Sequence, residues 1–193
     1  KNYYAGYTEN NYVLKNLNIK IFKGQKIGII GRTGAGKSSL ISALLVYFEN
    51  IEGNLFYKNI CLSKINLKMY RSNISYISQE CFLFNDTLRN NLDISNNKSD
   101  EYLISLLTEA NLIDYFKNND GLDFKIDTDN INLSEGIIQI ICFLRIIINL
   151  KPIIIMDEVS SKLDYNSENT IERLKVKYLN DKNWTDITRD ERF

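Results

Sequence analysis

The chain has 193 residues, the length of one ordinary domain, and its 24 basic side chains are balanced by 24 acidic ones. It contains no histidine, which excludes Ser-His-Asp and Cys-His catalysis, HExxH zinc sites and histidine pH switches. The zero net charge argues against nucleic-acid binding through a basic surface, and 44% hydrophobic residues suffice for a sizeable core.

The first part of the chain shows strand patterns and then a glycine-rich loop. Residues 12–14 and 17–22 alternate apolar and polar side chains, which predicts half-buried strands. After a turn at 23–25, the nearly continuous apolar run Lys26–Ile30 predicts a central strand buried on both faces. Beyond the loop, residues 38–48 carry apolar side chains at helical spacing.

The middle of the chain predicts two further strands, at 54–57 and 74–77, and one helix over 100–118. The apolar face of that helix is expected to consist of Leu103, Leu106, Leu107, Ala110 and Leu112.

The most apolar stretch, residues 137–156, approaches the length of a membrane span. Arg145 lies inside it, and a charge at that position is costly in lipid. We therefore predict a buried helix that ends before Pro152 and a second buried strand at 153–156. Two buried strands joined by helices predict an α/β sheet with ligands at the carboxyl ends of its strands.

The three cysteines, Cys61, Cys81 and Cys142, have neither the spacing of a metal site nor the even count of a disulfide framework. This composition favours a reducing, intracellular compartment. The first residues also lack the basic and then apolar layout of a secretion signal.

Residues 31–38 spell G-R-T-G-A-G-K-S, a complete GxxxxGK[ST] phosphate loop between a predicted strand and a predicted helix. Glycines in such a loop let backbone N–H groups surround an anion, and the N-terminus of the next helix adds positive potential. We expect Lys37 to reach the β- and γ-phosphates and Ser38 to bind Mg²⁺. The alternative is a glycine-rich turn without a ligand. The predicted nucleotide contacts here are Gly31, Arg32, Thr33, Gly34, Ala35, Gly36, Lys37, Ser38 and Ser39.

A second motif closes the predicted strand at 153–156, where Asp157 and Glu158 follow four apolar residues. A strand of this kind delivers an aspartate to Mg²⁺ beside a phosphate loop, so Asp157 is predicted to be a metal ligand together with Ser38. Glu158 could polarise the attacking water as a general base. The alternative is a strand whose solvent end carries two acids, but the pair of motifs predicts Mg-nucleotide binding.

More motifs follow in a fixed order. Residues 132–136 spell N-L-S-E-G, Gln79 follows a predicted strand, residues 161–164 spell S-K-L-D, and residues 82–93 spell F-L-F-N-D-T-L-R-N-N-L-D. This set resembles the ATP-binding-cassette (ABC) ATPases, with L-S-E-G in the place of their signature. The phrase IGIIGRTGAGKSSL is similar to the second cassette of the multidrug-resistance-associated (C) subfamily. The resemblance covers approximately residues 2–181.

The resemblance implies the fold: an α/β P-loop NTPase of ABC type, with a mixed sheet core, an antiparallel β part and a helical signature subdomain. The chain would be a single cassette over residues 1–193, with the helical subdomain at about 85–150. Its cofactors would be ATP and Mg²⁺.

The resemblance also implies a division of roles. Two cassettes close head to tail on two ATP molecules, so Ser134 and Gly136 would serve the partner's ATP, although Ser134 would also be a plain N-cap. Gln79 would contact Mg²⁺ and the attacking water and would join Glu158 and Lys37 as the catalytic residues. Asp164, in the D-loop, is a further predicted nucleotide contact.

An aromatic residue is expected to stack on the adenine ring. The match of N-Y-Y-A-G-Y to the family's N-Y-x-x-x-Y points to Tyr7, with Tyr3, Tyr4 and Tyr12 as alternatives.

Several positions depart from the family pattern. Ile137 replaces the signature glutamine, residues 128–130 replace the preceding glycines, and Arg189 stands where the switch histidine is expected. Asp186 interrupts the apolar run at 184–189, so no strand is predicted there, and we expect the C-terminal end to be truncated or diverged. Arg189 could contact the γ-phosphate or could simply be solvated.

The function implied is ATP binding and hydrolysis coupled to export, at the cytoplasmic face of a membrane. The partners would be a second cassette and the transmembrane domains of the same transporter, without nucleic acid. One alternative is a degenerate cassette that binds ATP and dimerises without efficient hydrolysis. Another is a DNA-maintenance ATPase of the structural-maintenance-of-chromosomes type, although here a compact segment replaces the long coiled coil of that class.

Overall fold

The computed structural model describes residues 2–8, 11–32, 34–127, 133–157, 159, 163–180 and 183–188, the last range as backbone. The chain forms two compact units. The first contains the described residues of 1–75, 151–157 and 182–193, and the second those of 76–150 and 158–181.

The strands are β1 (Tyr3–Thr8), β2 (Asn11–Leu17), β3 (Lys26–Ile30), β4 (Asn50–Glu52), β5 (Phe56–Tyr57), β6 (Ile60–Cys61), β7 (Ile74–Ile77), β8 (Asp86–Thr87), β9 (Lys125–Ile126), β10 (Ile153–Asp157) and β11 (Asn183–Thr188). The helices are α1 (Lys37–Leu44), α2 (Leu67–Arg71), α3 (Leu88–Leu92), α4 (Asp100–Glu109), α5 (Ile113–Lys117), α6 (Glu135–Ile148) and α7 (Tyr165–Tyr178).

An antiparallel sheet of order β2-β1-β4 lies in the first unit. Its apolar face packs on α1 and the segment after it, in a cluster formed by Tyr3, Ala5, Leu14, Ala43 and Phe48. The predicted strand at 12–14 is confirmed, but the strand predicted at 17–22 is wrong, because β2 ends at Leu17. Asn16 has a φ of +51°, and the Asn18 amide donates to its carbonyl oxygen, so local side-chain bonding ends the strand.

The second sheet has the strand order β3-β11-β10-β7, and β11 pairs in parallel with both β3 and β10. The prediction of a buried strand is confirmed for β10, whose residues 154–156 are fully buried. It is wrong for β3, because Ile30 is 47% exposed and β3 stands at the end of the strand order. One face of β3 is nevertheless covered, since Ile29 packs with Ile41 and Ile155.

The prediction that residues 184–189 form no strand is also wrong. Residues Asn183–Thr188 form β11, with main-chain pairing to a neighbour on each side. Such pairing depends on the backbone alone, so Asp186 does not interrupt it. Arg189 lies outside the described residues.

Helices dominate the second unit. The helix predicted over 100–118 is divided into α4 and α5 at Asn111, which adopts a φ of +57°. The five apolar residues predicted to form its buried face are all buried. The buried helix predicted in the most apolar stretch is confirmed as α6, and none of the described helices has both the length and the apolar character to cross a bilayer.

Candidate nucleotide-binding site

The glycine-rich loop connects β3 to α1, and two glycines in it adopt conformations that disfavour a side chain. Gly34 has a φ of +81° and Gly36 a φ of +88°. Gly36 occupies the N-cap position of α1 and, as a glycine, supplies no side-chain cap. A helix N-terminus that follows left-handed glycines suits a phosphate, because backbone N–H groups and the helix dipole both favour an anion.

The Lys37 side chain folds back onto this loop. Its Nζ donates to the carbonyl oxygen of Gly31 at 2.7 Å and to that of Arg32 at 3.3 Å. A Cβ on Gly31 would lie 3.3 Å from Ala35 Cβ and 3.9 Å from Lys37 Cδ, so a glycine there lets the loop close around the lysine. The ammonium group is therefore held within the loop that the sequence assigns to phosphate binding.

Ser38 is exposed in the first turn of α1, and Thr33 lies outside the described residues.

The parallel sheet relates this loop to Asp157. Asp157 pairs in register with Ile187, and Ile187 pairs with Ile29, which shortly precedes Gly31. Adjacent strands lie ~4.8 Å apart, so β10 and β3 are separated by about 10 Å. Because β3, β11 and β10 are parallel, the loop and Asp157 share the carboxyl edge of the sheet. The Asp157 side chain is buried, with 8% of the residue exposed.

The donors at this edge fit a magnesium ion that is shared with phosphates. Ser38 supplies a hydroxyl group and Asp157 a carboxylate, which are the oxygen ligands that Mg²⁺ prefers. Among the described residues, no group of three or more Cys, Asp or Glu side chains could form a metal cage.

Among the tyrosines proposed to stack on adenine, Tyr7 is the most exposed. Its residue is 67% exposed, and its ring contacts Phe48 with a centroid separation of 4.8 Å. Tyr3 is buried, and the Tyr12 hydroxyl donates to Glu52 Oε1 at 2.6 Å. These environments favour Tyr7, because a base needs an accessible ring face.

The start of α6 carries the signature residues. Ser134 is its N-cap, and Ser134 Oγ accepts a hydrogen bond from the Ile137 N–H at 3.3 Å. Gly136 is buried, and a Cβ on it would lie 2.4 Å from Ser167 Oγ and 3.0 Å from Asp164 Oδ2. The signature glycine therefore permits direct contact between α6 and the N-terminus of α7.

Asp164 is the N-cap of α7. Its Oδ1 accepts from the N–H groups of Asn166 and Ser167, and its Oδ2 accepts from Ser167 Oγ at 2.7 Å. The hydrogen bond from the Ser167 hydroxyl, followed by the bond from its N–H, lowers the pKa of the Asp164 carboxyl group. Sequence reasoning did not select Ser167: an aspartate such as Asp164 is a recognisable N-cap residue, but the helix-start pattern has glutamate or glutamine, not serine, three residues later.

The other predicted site residues are placed as follows. Gln79 is exposed in the turn after β7, where Ser78 Oγ donates to Glu80 O at 2.7 Å. Glu158 lies outside the described residues, so its predicted role as a base stays a prediction.

The class of protein follows from this edge of the sheet. A phosphate loop leads from one parallel strand, β3, into a helix, and an acidic residue ends a second parallel strand, β10, with β11 between the two. This is the construction of a P-loop NTPase.

Comparison with known proteins gives the family. The profile of the family described as ABC transporter matches residues 14–161. The chain belongs to this family, whose cassettes are ATPases.

Several relatives belong to the C subfamily or resemble it. The chain is 37% identical over 170 residues to ABC transporter C family member 3 of Dictyostelium discoideum, and the alignment covers 87% of this chain and 12% of the relative. It is 36% identical over 166 residues to the metal resistance protein YCF1 of Saccharomyces cerevisiae, in an alignment that covers 85% of this chain and 11% of the relative. It is 35% identical over 161 residues to ATP-binding cassette sub-family C member 3 of Rattus norvegicus, in an alignment that covers 83% of this chain and 11% of the relative. The chain thus spans only about an eighth of the length of these relatives.

Proposed function

We propose that this chain is the second nucleotide-binding cassette of an exporter of the C subfamily, and that it binds Mg-ATP and hydrolyses it to drive transport. The observation that carries the proposal is the shared carboxyl edge of the sheet, where the N-terminus of α1, which follows β3, and the buried Asp157, which ends β10, lie at the same end of β11. The relative whose name describes it as a transporter, ABC transporter C family member 3 of Dictyostelium discoideum, supports the transport role.

Each group at the edge has a task in this proposal. The loop N–H groups and Lys37 bind the phosphates, and the ring of Tyr7 stacks on the base. Ser38, Asp157 and Gln79 hold Mg²⁺, which when bound neutralises charge on the β- and γ-phosphates. Glu158 accepts a proton from the attacking water.

A second cassette completes the site. Ser134 and Gly136 stand at the N-terminus of α6, a helix of 14 residues whose dipole favours an anion. In a head-to-tail pair they serve the partner's ATP, and the pair lies at the cytoplasmic face of a membrane against transmembrane domains. The contact of Gly136 with Asp164 and Ser167 supports a joint signature and D-loop surface.

The test is ATP hydrolysis by the full-length protein carrying Glu158→Gln. Loss of a general base should lower kcat by about 10²- to 10⁴-fold while ATP still binds. Glu49→Gln, at an exposed acid outside the site, is the matched control and should retain turnover. Unchanged turnover in Glu158→Gln would contradict the hydrolytic role.

A second candidate is a cassette that binds ATP and dimerises without efficient turnover. Two sequence features favour it: Ile137 carries no amide where the signature has glutamine, and the chain contains no histidine. Loss of one donor that stabilises the transition state typically costs ~10²–10³ in rate. Nucleotide-dependent dimerisation with no measurable hydrolysis in the unsubstituted protein would favour this candidate.

A further inference from the structure

A partly buried arginine bonds the segment after Gln79 to the signature helix α6. Arg145, on α6, donates through Nη1 to the Phe82 carbonyl oxygen at 2.8 Å and through Nη2 to Asn91 Oδ1 at 2.7 Å, and its Nε donates to the Asn91 carbonyl oxygen. Asn91 is fully buried, and its own amide donates to Phe84 O at 3.0 Å. The backbone at 82–84 is thus bonded to α6 directly and through Asn91.

Two cysteines meet at the same place. Cys142 is buried on α6, and its Sγ lies 3.6 Å from the carbonyl oxygen of Phe82, the residue that follows Cys81. Cys81 is partly exposed, and its Sγ donates to Ser78 O at 3.7 Å. Hydrogen bonding with the Cys81 thiol, aided by the charge of Arg145, lowers the pKa of Cys142. Arg145 Nη1 also donates to Cys142 Sγ at 3.6 Å.

We propose that Cys81 and Cys142 are a redox-active pair, which hydrogen peroxide converts into a disulfide that ties segment 78–84 covalently to α6. None of the roles assigned above uses either thiol. Cys81 offers access from solvent, and Cys142 lies beside the guanidinium group of Arg145, whose positive charge favours the thiolate form that reacts with peroxide.

The chemistry balances in two steps. The Cys142 thiolate attacks one oxygen of hydrogen peroxide, the O–O bond breaks, and hydroxide leaves, which gives a sulfenic acid at Cys142. The Cys81 sulfur then attacks that sulfenic sulfur, an S–S bond forms, and the hydroxyl leaves as water with the proton from the Cys81 thiol. The two sulfurs together lose two electrons, and hydrogen peroxide is reduced to one hydroxide ion and one water molecule.

The bond itself is tested by peptide mapping without reduction. The full-length protein is treated briefly with hydrogen peroxide, free thiols are alkylated, and the digest is analysed by mass spectrometry. We expect a peptide that joins Cys81 to Cys142, two hydrogens lighter than the separate peptides and absent after dithiothreitol. Cys81→Ser and Cys142→Ser should each abolish it, and Cys61→Ser, at a cysteine outside the pair, should retain it. Recovery of the two cysteines only in separate peptides, or cross-linked through Cys61, would overturn the proposal.

The effect of the disulfide on the attachment of segment 82–84 to α6 is tested by hydrogen exchange. Amides in segment 82–84 should exchange several-fold more slowly in the oxidised protein than in the reduced protein, because opening of the segment is restricted. The difference should disappear in Cys142→Ser. Equal amide exchange rates in the cross-linked and the reduced protein would contradict the claim that the disulfide ties this segment to α6.

A consequence for turnover rests on the proposed function, since Gln79 there contacts Mg²⁺ and the attacking water. Oxidation should lower kcat for ATP several-fold, reversibly with dithiothreitol and only when both cysteines are present, while ATP affinity stays nearly unchanged. If cross-linked and reduced proteins hydrolyse ATP equally fast, the regulatory effect is refuted. If the reduced protein binds no ATP although the cross-link forms, the proposed function fails and the redox pair stands.

Discussion

At the scale of single residues, the placement of Lys37 Nζ explains how the phosphate loop is prepared for its ligand. The ammonium group donates to loop carbonyl oxygens at Gly31 and Arg32, so its position is set before any phosphate arrives. A donor that is already oriented loses little side-chain entropy on binding, which increases affinity.

Lys37→Ala should therefore weaken ATP binding by about 10- to 100-fold, the value of a charge-assisted hydrogen bond to phosphate. Isothermal titration calorimetry of the full-length protein would measure this change. Lys23→Ala, at an exposed lysine in the turn before β3, is the matched control and should bind ATP normally. Equal affinity in the two variants would contradict the assigned role of Lys37.

Tyr7 can be separated from the other tyrosines by its effect on the base alone. Tyr7→Ala should weaken ATP binding by roughly 5- to 100-fold because base stacking is lost, and Tyr7→Phe should retain most of the affinity. Inorganic triphosphate, which has no base, should bind Tyr7→Ala and the unsubstituted protein equally well. A larger loss of ATP affinity in Tyr4→Ala or Tyr12→Ala would transfer the role to that residue.

At the scale of elements, α6 and α7 meet where Gly136 contacts Ser167 and Asp164. Gly136→Ala would place a Cβ 2.4 Å from Ser167 Oγ, which must rotate and release Asp164. A methyl group forced into so close a packing contact typically costs about 1–3 kcal/mol. Urea unfolding should therefore show a net loss of about 1–3 kcal/mol. In a Ser167→Ala background the same substitution should cost less, and an equal cost in both backgrounds would exclude the steric cause.

Glu109 joins α4 to α7 through side-chain bonds. Its carboxylate accepts from Lys177 Nζ at 2.8 Å and from the Tyr178 hydroxyl at 2.7 Å. The bond from Lys177, followed by the bond from Tyr178, lowers the pKa of Glu109 from its ordinary value of 4.5.

A carboxyl group whose pKa is lower in the folded than in the unfolded state contributes to stability when the pH is above its unfolded-state pKa. This contribution is lost as the pH falls through its folded-state pKa. The free energy of unfolding of the unsubstituted protein should exceed that of Glu109→Gln at neutral pH, and the difference should shrink as the pH falls below the ordinary pKa of 4.5. Urea titrations at neutral and acidic pH measure this. A difference that is independent of pH would show that the carboxylate charge is not involved.

At the scale of the whole molecule, binding of Mg-ATP should raise the thermal stability. A ligand at 100 times its Kd stabilises the folded state by about 2.7 kcal/mol, which corresponds to an increase in Tm of about 5–10 °C for a chain of this size. Differential scanning fluorimetry should show this increase, a smaller one when EDTA removes Mg²⁺, and almost none in Lys37→Ala. An equal increase in Lys37→Ala would contradict binding at the phosphate loop.

The parts of the fold that the sequence predicted are those set by local pattern. The apolar run at 153–156 predicted a buried strand, and the stretch before it predicted the buried helix α6, both confirmed. The exposure of β3 and the existence of β11 were not predicted, because both depend on which strands are neighbours in the sheet. The predicted helix is divided at Asn111 because this one residue adopts a left-handed conformation. The spacing of apolar residues along the sequence does not reveal such a break.

The sequence by itself determined the family and the chemistry of the phosphate loop, because glycines, a lysine and a serine at fixed spacing are contiguous along the chain. Only the tertiary structure decided how distant residues meet: the sheet register that brings Asp157 to the edge of the loop, the contact between Gly136 and Ser167, and the approach of Cys142 to the residues after Cys81. Such contacts depend on strand order and helix packing, which are set by burial across the whole chain and leave no local pattern in the sequence.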